Sequence, residues 1–177
     1  HHKNFLWSHT LWFMTDYALP TFLKEIPDWA KSKELRFINR YDWIAVLLLA
    51  MGCYSLGEWS LFQSWTGMNG LSMLAWGFFL PTVLLYHATF SVNSLTHMFG
   101  KKKYETGDES RNNWFVSIIT FGEGWHNNHH FFPGSARQGF LPWEIDLTYY
   151  GLRILALLGL VRNLRPVPVW VKDKAKQ

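Results

Sequence analysis

Two long apolar stretches dominate the middle of the chain. Residues 43–62 form the first run, interrupted by Glu58 near its far end, and residues 71–92 form the second, with Pro81 placed to kink it. A helix of about twenty residues rises about 30 Å, which is enough to cross the hydrocarbon core of a bilayer. A short turn that contains Gly67 and Gly70 separates the runs. The pattern therefore predicts two transmembrane helices that form a hairpin within residues 41–98.

The alternative to a membrane hairpin is the buried hairpin of a soluble protein, and the basic residues argue against it. The chain of 177 residues has 17 Lys and Arg residues, and none of them lies between Tyr41 and Gly100. Basic flanks on both sides of an apolar segment are typical of a cytoplasmic location for both flanks. The net charge of +4 lies in short runs beside apolar spans. It therefore does not predict binding to nucleic acid.

The segments outside the hairpin are polar or amphipathic. Residues 1–40 are predicted to be cytoplasmic or interfacial, with a solvated helix as the alternative for residues 19–41. Residues 99–177 are predicted to form a cytoplasmic helical cap. In it Lys101–Lys103 would face headgroups or an acidic partner, residues 147–161 would form an interfacial helix, and the last dozen residues would be a frayed basic tail. The predicted fold class is all-α, in one domain, and the 11 Trp residues fit the headgroup level of a bilayer.

A run of histidines follows the hairpin. His126, His129 and His130 stand at positions i, i+3 and i+4 within the segment Gly-Glu-Gly-Trp-His-Asn-Asn-His-His. On a helix this spacing places three imidazoles on one face, within about one turn of each other. Neutral imidazole is the commonest nitrogen ligand of iron, zinc and copper, so the segment predicts a metal site. The alternative is a surface cluster of histidines without a metal.

Other histidines differ in their relation to this site. Asn93 and His97 are four residues apart at the end of the second apolar run, so a helix that leaves the membrane would carry both toward the metal. His87 lies about 15 Å before His97 along a straight helix, too far to share the site, and is predicted to be structural. His1 and His2 read either as the end of a second histidine box or as the remnant of a tag.

These motifs resemble those of the membrane-bound fatty acyl desaturases, in particular the stearoyl-CoA or Δ9 branch and its bacterial members. The residues that carry the resemblance are Asn93–Gly100, Gly122–His130 and Phe132-Pro133. A weaker similarity extends from Phe5 to Leu160. The resemblance implies that this chain is the C-terminal portion of a four-helix family fold, because the family's first histidine box and first pair of membrane helices have no counterpart in it.

The resemblance implies a di-iron enzyme that uses O2 to introduce a cis double bond, at the Δ9 position, into a saturated acyl-CoA or acyl-lipid. The implied metal ligands are His1, His2, His97, His126, His129 and His130, with Asn93 acting through a water. Glu123 would orient an imidazole, and Thr89, Phe90 and Trp125 would line the acyl tunnel. The implied electron donor is separate: cytochrome b5, a ferredoxin or a flavin reductase. The site would lie on the cytoplasmic side of a bacterial inner membrane or an ER-like membrane, in contact with its lipids.

Two other functions remain open at this stage. A related membrane di-iron hydroxylase would share the metal ligands and differ only in its product. An inactive fragment with an incomplete metal site, or a structural membrane segment, would share part of the pattern. A zinc peptidase is a weak competitor, because the sequence has no HExxH motif.

Overall fold

The described part of the chain is built from helices. The computed structural model describes residues 5–15, 22 and 24–174, and within them β-structure is limited to two isolated bridges, Lys101–Asn112 and Asn112–Trp125. His1 and His2 lie outside the described residues. The α-helices are α1 (Phe5–His9), α2 (Pro27–Ala30), α3 (Lys33–Arg40), α4 (Asp42–Glu58), α5 (Ser60–Thr66), α6 (Gly70–Leu74), α7 (Leu80–Ser94), α8 (Trp114–Ile119), α9 (His126–Phe131), α10 (Leu147–Leu157) and α11 (Val169–Lys174). The all-α prediction is confirmed for these residues.

The chain divides into two compact units, residues 13–86 and residues 1–12 together with 87–177. In the unit of residues 13–86, α4 packs against α6 at a pair of glycines. A Cβ atom at Gly57 would lie 2.5 Å from the carbonyl oxygen of Asn69 and 2.7 Å from the Cα of Gly70. Only glycine permits this approach of the two backbones. The two apolar segments are therefore in contact at this point, and their crossing of a membrane as a hairpin stays a prediction.

The first apolar run is not one straight helix, and this part of the prediction is wrong. α4 ends at Glu58, Trp59 is extended with ψ of 118°, and α5 continues at an angle of 74°. The carboxylate of Glu58 accepts a hydrogen bond of 2.8 Å from the backbone N–H of Gly70, at the first turn of α6. Glu58 is therefore hydrogen-bonded to the start of α6 at the end of α4. The chain bends there, where a straight helix of about twenty residues was expected.

The second apolar run does form a long helix. Gly70–His97 is a helix of 28 residues that is long and apolar enough to cross a membrane. Its irregular turn is a π-helical segment, Ala75–Phe79, in which the N–H of Leu80 bonds to the carbonyl of Ala75. This wider turn lies just before Pro81, whose ring would otherwise crowd the preceding carbonyls. Apolar side chains of the long helix are exposed, among them Leu84 (60%) and Leu85 (65%), as lipid-facing side chains are.

A small apolar core holds the histidine-rich region together. Tyr104, Phe140, Val167 and Val171 are buried against one another, and Phe131 and Phe132 pack on them. The ring of Tyr104 stacks on Phe131 at 4.2 Å, and its hydroxyl donates to the carbonyl of Val171. The expectation of a frayed C-terminal tail is therefore wrong for residues 167–174. Apolar residues every fourth position in a basic segment were the signal for a packed helix.

Lys103 is also placed differently from the expectation. Its ammonium group lies 2.9 Å from a carboxylate oxygen of Glu144, and the two side chains are 11% and 5% exposed. It therefore pairs inside the fold and does not face headgroups. Lys102 remains near the surface, beside Glu105 and Glu109 at 3.7 and 3.8 Å.

Candidate metal centre

The histidine helix begins and ends where the sequence dictates. Gly124 lies against the backbone of Ser117 so closely that any side chain there would collide with it. The carbonyl of Gly124 accepts a hydrogen bond from the N–H of Asn113, which fixes the approach to α9. α9 starts at His126 and stops at Phe131, before Pro133, which cannot continue a helix. The predicted helical conformation of this segment is confirmed.

Asn127 fastens α9 to the preceding loop. Its side chain is fully buried, and its oxygen accepts hydrogen bonds from the backbone N–H groups of Lys103 (2.9 Å) and Tyr104 (2.7 Å). Its amide nitrogen donates to the carbonyls of Tyr104 (2.9 Å) and Ser110 (3.1 Å). One side chain thus satisfies four backbone groups, which leaves α9 little freedom to rotate.

Asn128 makes a second set of buried bonds on the same helix. It accepts from the side chain of Asn112 at 2.7 Å and donates to the carbonyl of Gln138 and to Glu144 at 2.9 and 2.8 Å. Glu144 also holds Lys103, so the network links the helix to two loops. The two asparagines between the histidines therefore orient the imidazoles on either side of them.

His97 approaches from the end of α7. The chain tightens there into a 3₁₀ turn, Leu95–His97, and the carbonyl of Thr96 accepts a bond of 2.7 Å from the N–H of Arg111. The Nε2 atoms of His97 and His126 lie 3.1 Å apart. Asn93 is exposed, one turn earlier on α7.

Three histidines converge. His97, His126 and His130 each offer one nitrogen, and these three nitrogens lie within 4.8 Å of one another. The ring centroid of His126 lies 4.3 Å from that of His130 and 5.1 Å from that of His97. His129 stands outside this group, with its centroid 6.3 Å from His126. The i and i+4 histidines of the motif thus meet with His97, and the i+3 histidine lies beside this group, with its ring centroid 5.9 Å from that of His130.

The distance between His97 and His126 fits a metal ion. Two nitrogens bound to one ion at about 2.1 Å are about 3.0 Å apart at an octahedral right angle and about 3.4 Å apart at the tetrahedral angle. The observed 3.1 Å between His97 and His126 lies inside that interval. The donor set, three imidazoles, suits iron, zinc or copper.

The electrostatics also favour a metal over protons. Burial, followed by the neighbouring imidazoles of His130, His97 and His129, lowers the pKa of His126 to about 3. Burial and His130 lower the pKa of His129, against the opposing effect of Glu123. These rings are therefore neutral at pH 7 and have a nitrogen lone pair available for coordination.

A carboxylate contacts the cluster, and sequence reasoning did not identify it. The Nδ1 atom of His130 lies 2.6 Å from a carboxylate oxygen of Asp108. Glu123, the acidic residue predicted for such a role, is exposed and acts on His129 through its charge. Asp108 is 22 residues before His130, so adjacency could not reveal it. The available signal was the Asp-x-Ser pattern of a side-chain-capped turn.

The predicted tunnel residues occupy two elements. Thr89 is exposed on α7, and the half-buried Phe90 beside it meets His9 edge-on at 5.9 Å between ring centroids. Trp125 donates from its indole N–H to the carbonyl of Ile145 at 2.7 Å. His9 bonds to His87 at 3.0 Å and to Ser94 at 2.8 Å, consistent with the structural role predicted for His87.

Comparison with known proteins identifies a family. A family model described as fatty acid desaturase matches residues 1–165. The chain is 37% identical to the sn-2 palmitoyl-lipid 9-desaturase of Nostoc sp. (strain 36), over 94% of this chain and 55% of the relative. It is 38% identical to the sn-1 stearoyl-lipid 9-desaturase of Anabaena variabilis, over 92% of this chain and 56% of the relative.

Another relative is named for a different double-bond position. The chain is 37% identical to acyl-CoA 5-desaturase AL21 of Anemone leveillei, over 92% of this chain and 48% of the relative. The chain spans about half the length of the curated relatives it matches. Taken together, the match to the family model, the level of identity and the three-histidine cluster lead to one conclusion. The chain belongs to the fatty acid desaturase family.

Proposed function

We propose that this chain forms part of the active site of a membrane-bound desaturase that introduces a cis double bond at the Δ9 position of a saturated acyl-lipid. The observation that carries the proposal is the convergence of His97, His126 and His130 on one point in a chain of this family. The names of two relatives, a palmitoyl-lipid and a stearoyl-lipid 9-desaturase, support the choice of substrate and position. Acyl-CoA is the second substrate class, supported by the relative from Anemone leveillei.

The cofactor in this proposal is a pair of iron ions. Iron, when bound, supplies the activation of O2 that removal of hydrogen from an unactivated alkyl chain requires. His97, His126 and His130 would hold one ion, with Asn93 reaching it through a water. His129 lies beside that group and is not one of its three members, so it would serve the second ion together with His1 and His2.

The reaction has a fixed electron balance. Two hydrogens leave adjacent methylene carbons, O2 is reduced to two waters, and two electrons and two protons enter from outside. A separate donor is needed for these electrons, and cytochrome b5, a ferredoxin and a flavin reductase are the candidates. Neutral imidazoles would hold the metals without adding charge to an apolar path.

In this proposal the reaction takes place at a membrane. The long apolar helix and the family support it, and a second crossing by α4 and α5 would complete the hairpin. The absence of Lys and Arg between Tyr41 and Gly100, with basic residues on either side, supports a metal site on the cytoplasmic side.

The activity is tested by product analysis. The protein is produced in a host that lacks its own Δ9 desaturase, and the position of the double bond in the host lipids is read by mass spectrometry. Monounsaturated palmitoyl and stearoyl chains with the bond at carbon 9 are expected. His126→Ala, which loses the most buried imidazole, serves as the negative control. A hydroxylated acyl chain as the main product would contradict desaturation.

Replacing Thr89 by tryptophan tests the acyl path. If Thr89 lies beside the acyl chain, the larger side chain should shift selectivity toward shorter chains by about tenfold, because extra methylenes no longer fit. Metal content should stay unchanged, since no proposed ligand is altered. Leu84→Trp is the matched control, because position 84 lies five residues earlier and about 140° around the helix. An unchanged product profile, or loss of metal in the Thr89 variant, would refute the placement.

A further inference from the structure

Both carboxylate oxygens of Asp108 make defined contacts. Oδ2 of Asp108 lies 2.6 Å from Nδ1 of His130. Oδ1, the other carboxylate oxygen, accepts the hydroxyl of Thr106 at 2.7 Å and the backbone N–H of Ser110 at 2.8 Å. One oxygen is thus occupied by the loop, and the other is directed at the imidazole.

The loop that carries Asp108 is tied to both segments that supply histidines. The carbonyl of Ser110 accepts from the side chain of Asn127 on α9 at 3.1 Å. The N–H of Arg111 donates to the carbonyl of Thr96, next to His97, at 2.7 Å. The backbone beside Asp108 is therefore tied to both segments that carry histidines, and the bonds of Oδ1 to Thr106 and Ser110 hold the carboxylate toward His130.

We propose that Asp108 is a positioning residue that fixes the ring orientation and the tautomer of His130. An ionised carboxylate can only accept a hydrogen bond, so Nδ1 of His130 must carry the proton. A neutral imidazole has one N–H, and Nε2 is then left with its lone pair free for a metal. This inference rests on the proposed metal site, because it assigns His130 as a ligand through Nε2.

The substitution Asp108→Asn is expected to reverse the tautomer of His130. The two loop donors, Thr106 and the N–H of Ser110, claim the single amide oxygen that asparagine offers. The NH2 group is then directed at His130, which must accept through Nδ1 and carry its proton on Nε2. This tautomer cannot bind a metal through Nε2. Asp108→Ala, in contrast, imposes neither tautomer.

The test is a titration of the metal-free protein in detergent with Co²⁺. Loss of an orienting carboxylate typically weakens metal binding by about tenfold to a hundredfold. The dissociation constant is expected to increase in the order wild type, Asp108→Ala, Asp108→Asn. A packing role alone would give the reverse order for the two variants, because asparagine preserves the shape of the loop and alanine does not. A charge role alone would give equal binding, because both variants remove the same charge.

Two further variants control the experiment. Glu109→Gln removes the same charge one residue away, from a carboxylate that pairs with Arg111 at 3.2 Å, and should bind Co²⁺ within about twofold of wild type. Thr106→Val removes one loop donor and should weaken binding less than Asp108→Ala, and it gives a second test if an Asp108 variant does not fold. Thermal unfolding of each metal-free protein separates folding from binding.

The outcomes distinguish this inference from the metal site itself. Failure of the wild type to bind Co²⁺, or unchanged binding in His130→Ala, would overturn the proposed site and the inference together. A different result would overturn the role of Asp108 alone. In that result the wild type binds Co²⁺ normally and His130→Ala binds it more weakly, but Asp108→Asn binds it as tightly as Glu109→Gln does. Asp108→Asn binding as tightly as Asp108→Ala would also overturn this role.

Discussion

Replacing His97 by alanine is expected to abolish metal binding at the three-histidine cluster and to reduce desaturation to background. His97 supplies one of three nitrogens that lie within 4.8 Å of one another, and its Nε2 is 3.1 Å from that of His126. The methyl group of alanine cannot coordinate a metal ion. The two remaining imidazoles would leave half of a tetrahedral site to solvent. Iron per protein, measured by atomic spectroscopy beside acyl product, reports both losses at once.

His87→Ala is the matched control for this variant. His87 lies on the same helix, ten residues earlier, and bonds to His9, away from the cluster. Iron content should be retained in this variant, with at most a modest loss of stability from the broken hydrogen bond. Retention of iron and turnover by His97→Ala would refute the site, as would equal loss of iron from both variants.

Replacing Asn127 by alanine is expected to cause a large loss of stability although it leaves every histidine in place. Its buried side chain satisfies two backbone N–H groups and two carbonyls, and alanine leaves all four without that partner. The free energy of unfolding should fall by about 3 to 5 kcal/mol, because each orphaned buried group costs about 1 kcal/mol or more. Denaturant unfolding of the metal-free protein in detergent measures the change.

Asn113→Ala provides the comparison on a different helix. Asn113 caps α8 by accepting from the N–H groups of Phe115 and Val116, each at 3.1 Å, and it is only half-buried. Loss of a cap of this kind costs about 1 kcal/mol. Equal losses of stability in the two variants would contradict the role of Asn127 in holding α9 to the preceding loop.

The sequence predicted what depends on local spacing. The helix at the histidine motif follows from the i, i+4 relation of His126 and His130, and the long apolar helix follows from the run after Gly70. The meeting of His97 with this motif was expected from its place at the end of the second apolar run and from the family resemblance, since 29 residues separate His97 from His126 and no periodicity connects them.

What escaped prediction depends on contacts between distant segments. The bend at Trp59 reflects the bond from Gly70 to Glu58, and composition alone cannot locate it. Lys103 has the same appearance in the sequence as Lys101, and only the fold directs it to Glu144. The contact of Asp108 with His130 likewise arises from a turn closed by Ser110, so the neighbouring Glu123 was the natural but different choice.

X-ray diffraction at the iron absorption edge, from crystals of the iron-loaded protein, tests the central claim most directly. An anomalous peak is expected about 2.0 to 2.3 Å from Nε2 of both His97 and His126. His130 should approach the same peak through its Nε2, with Nδ1 still on Asp108. Iron bound elsewhere, with no peak within bonding distance of these imidazoles, would contradict the account.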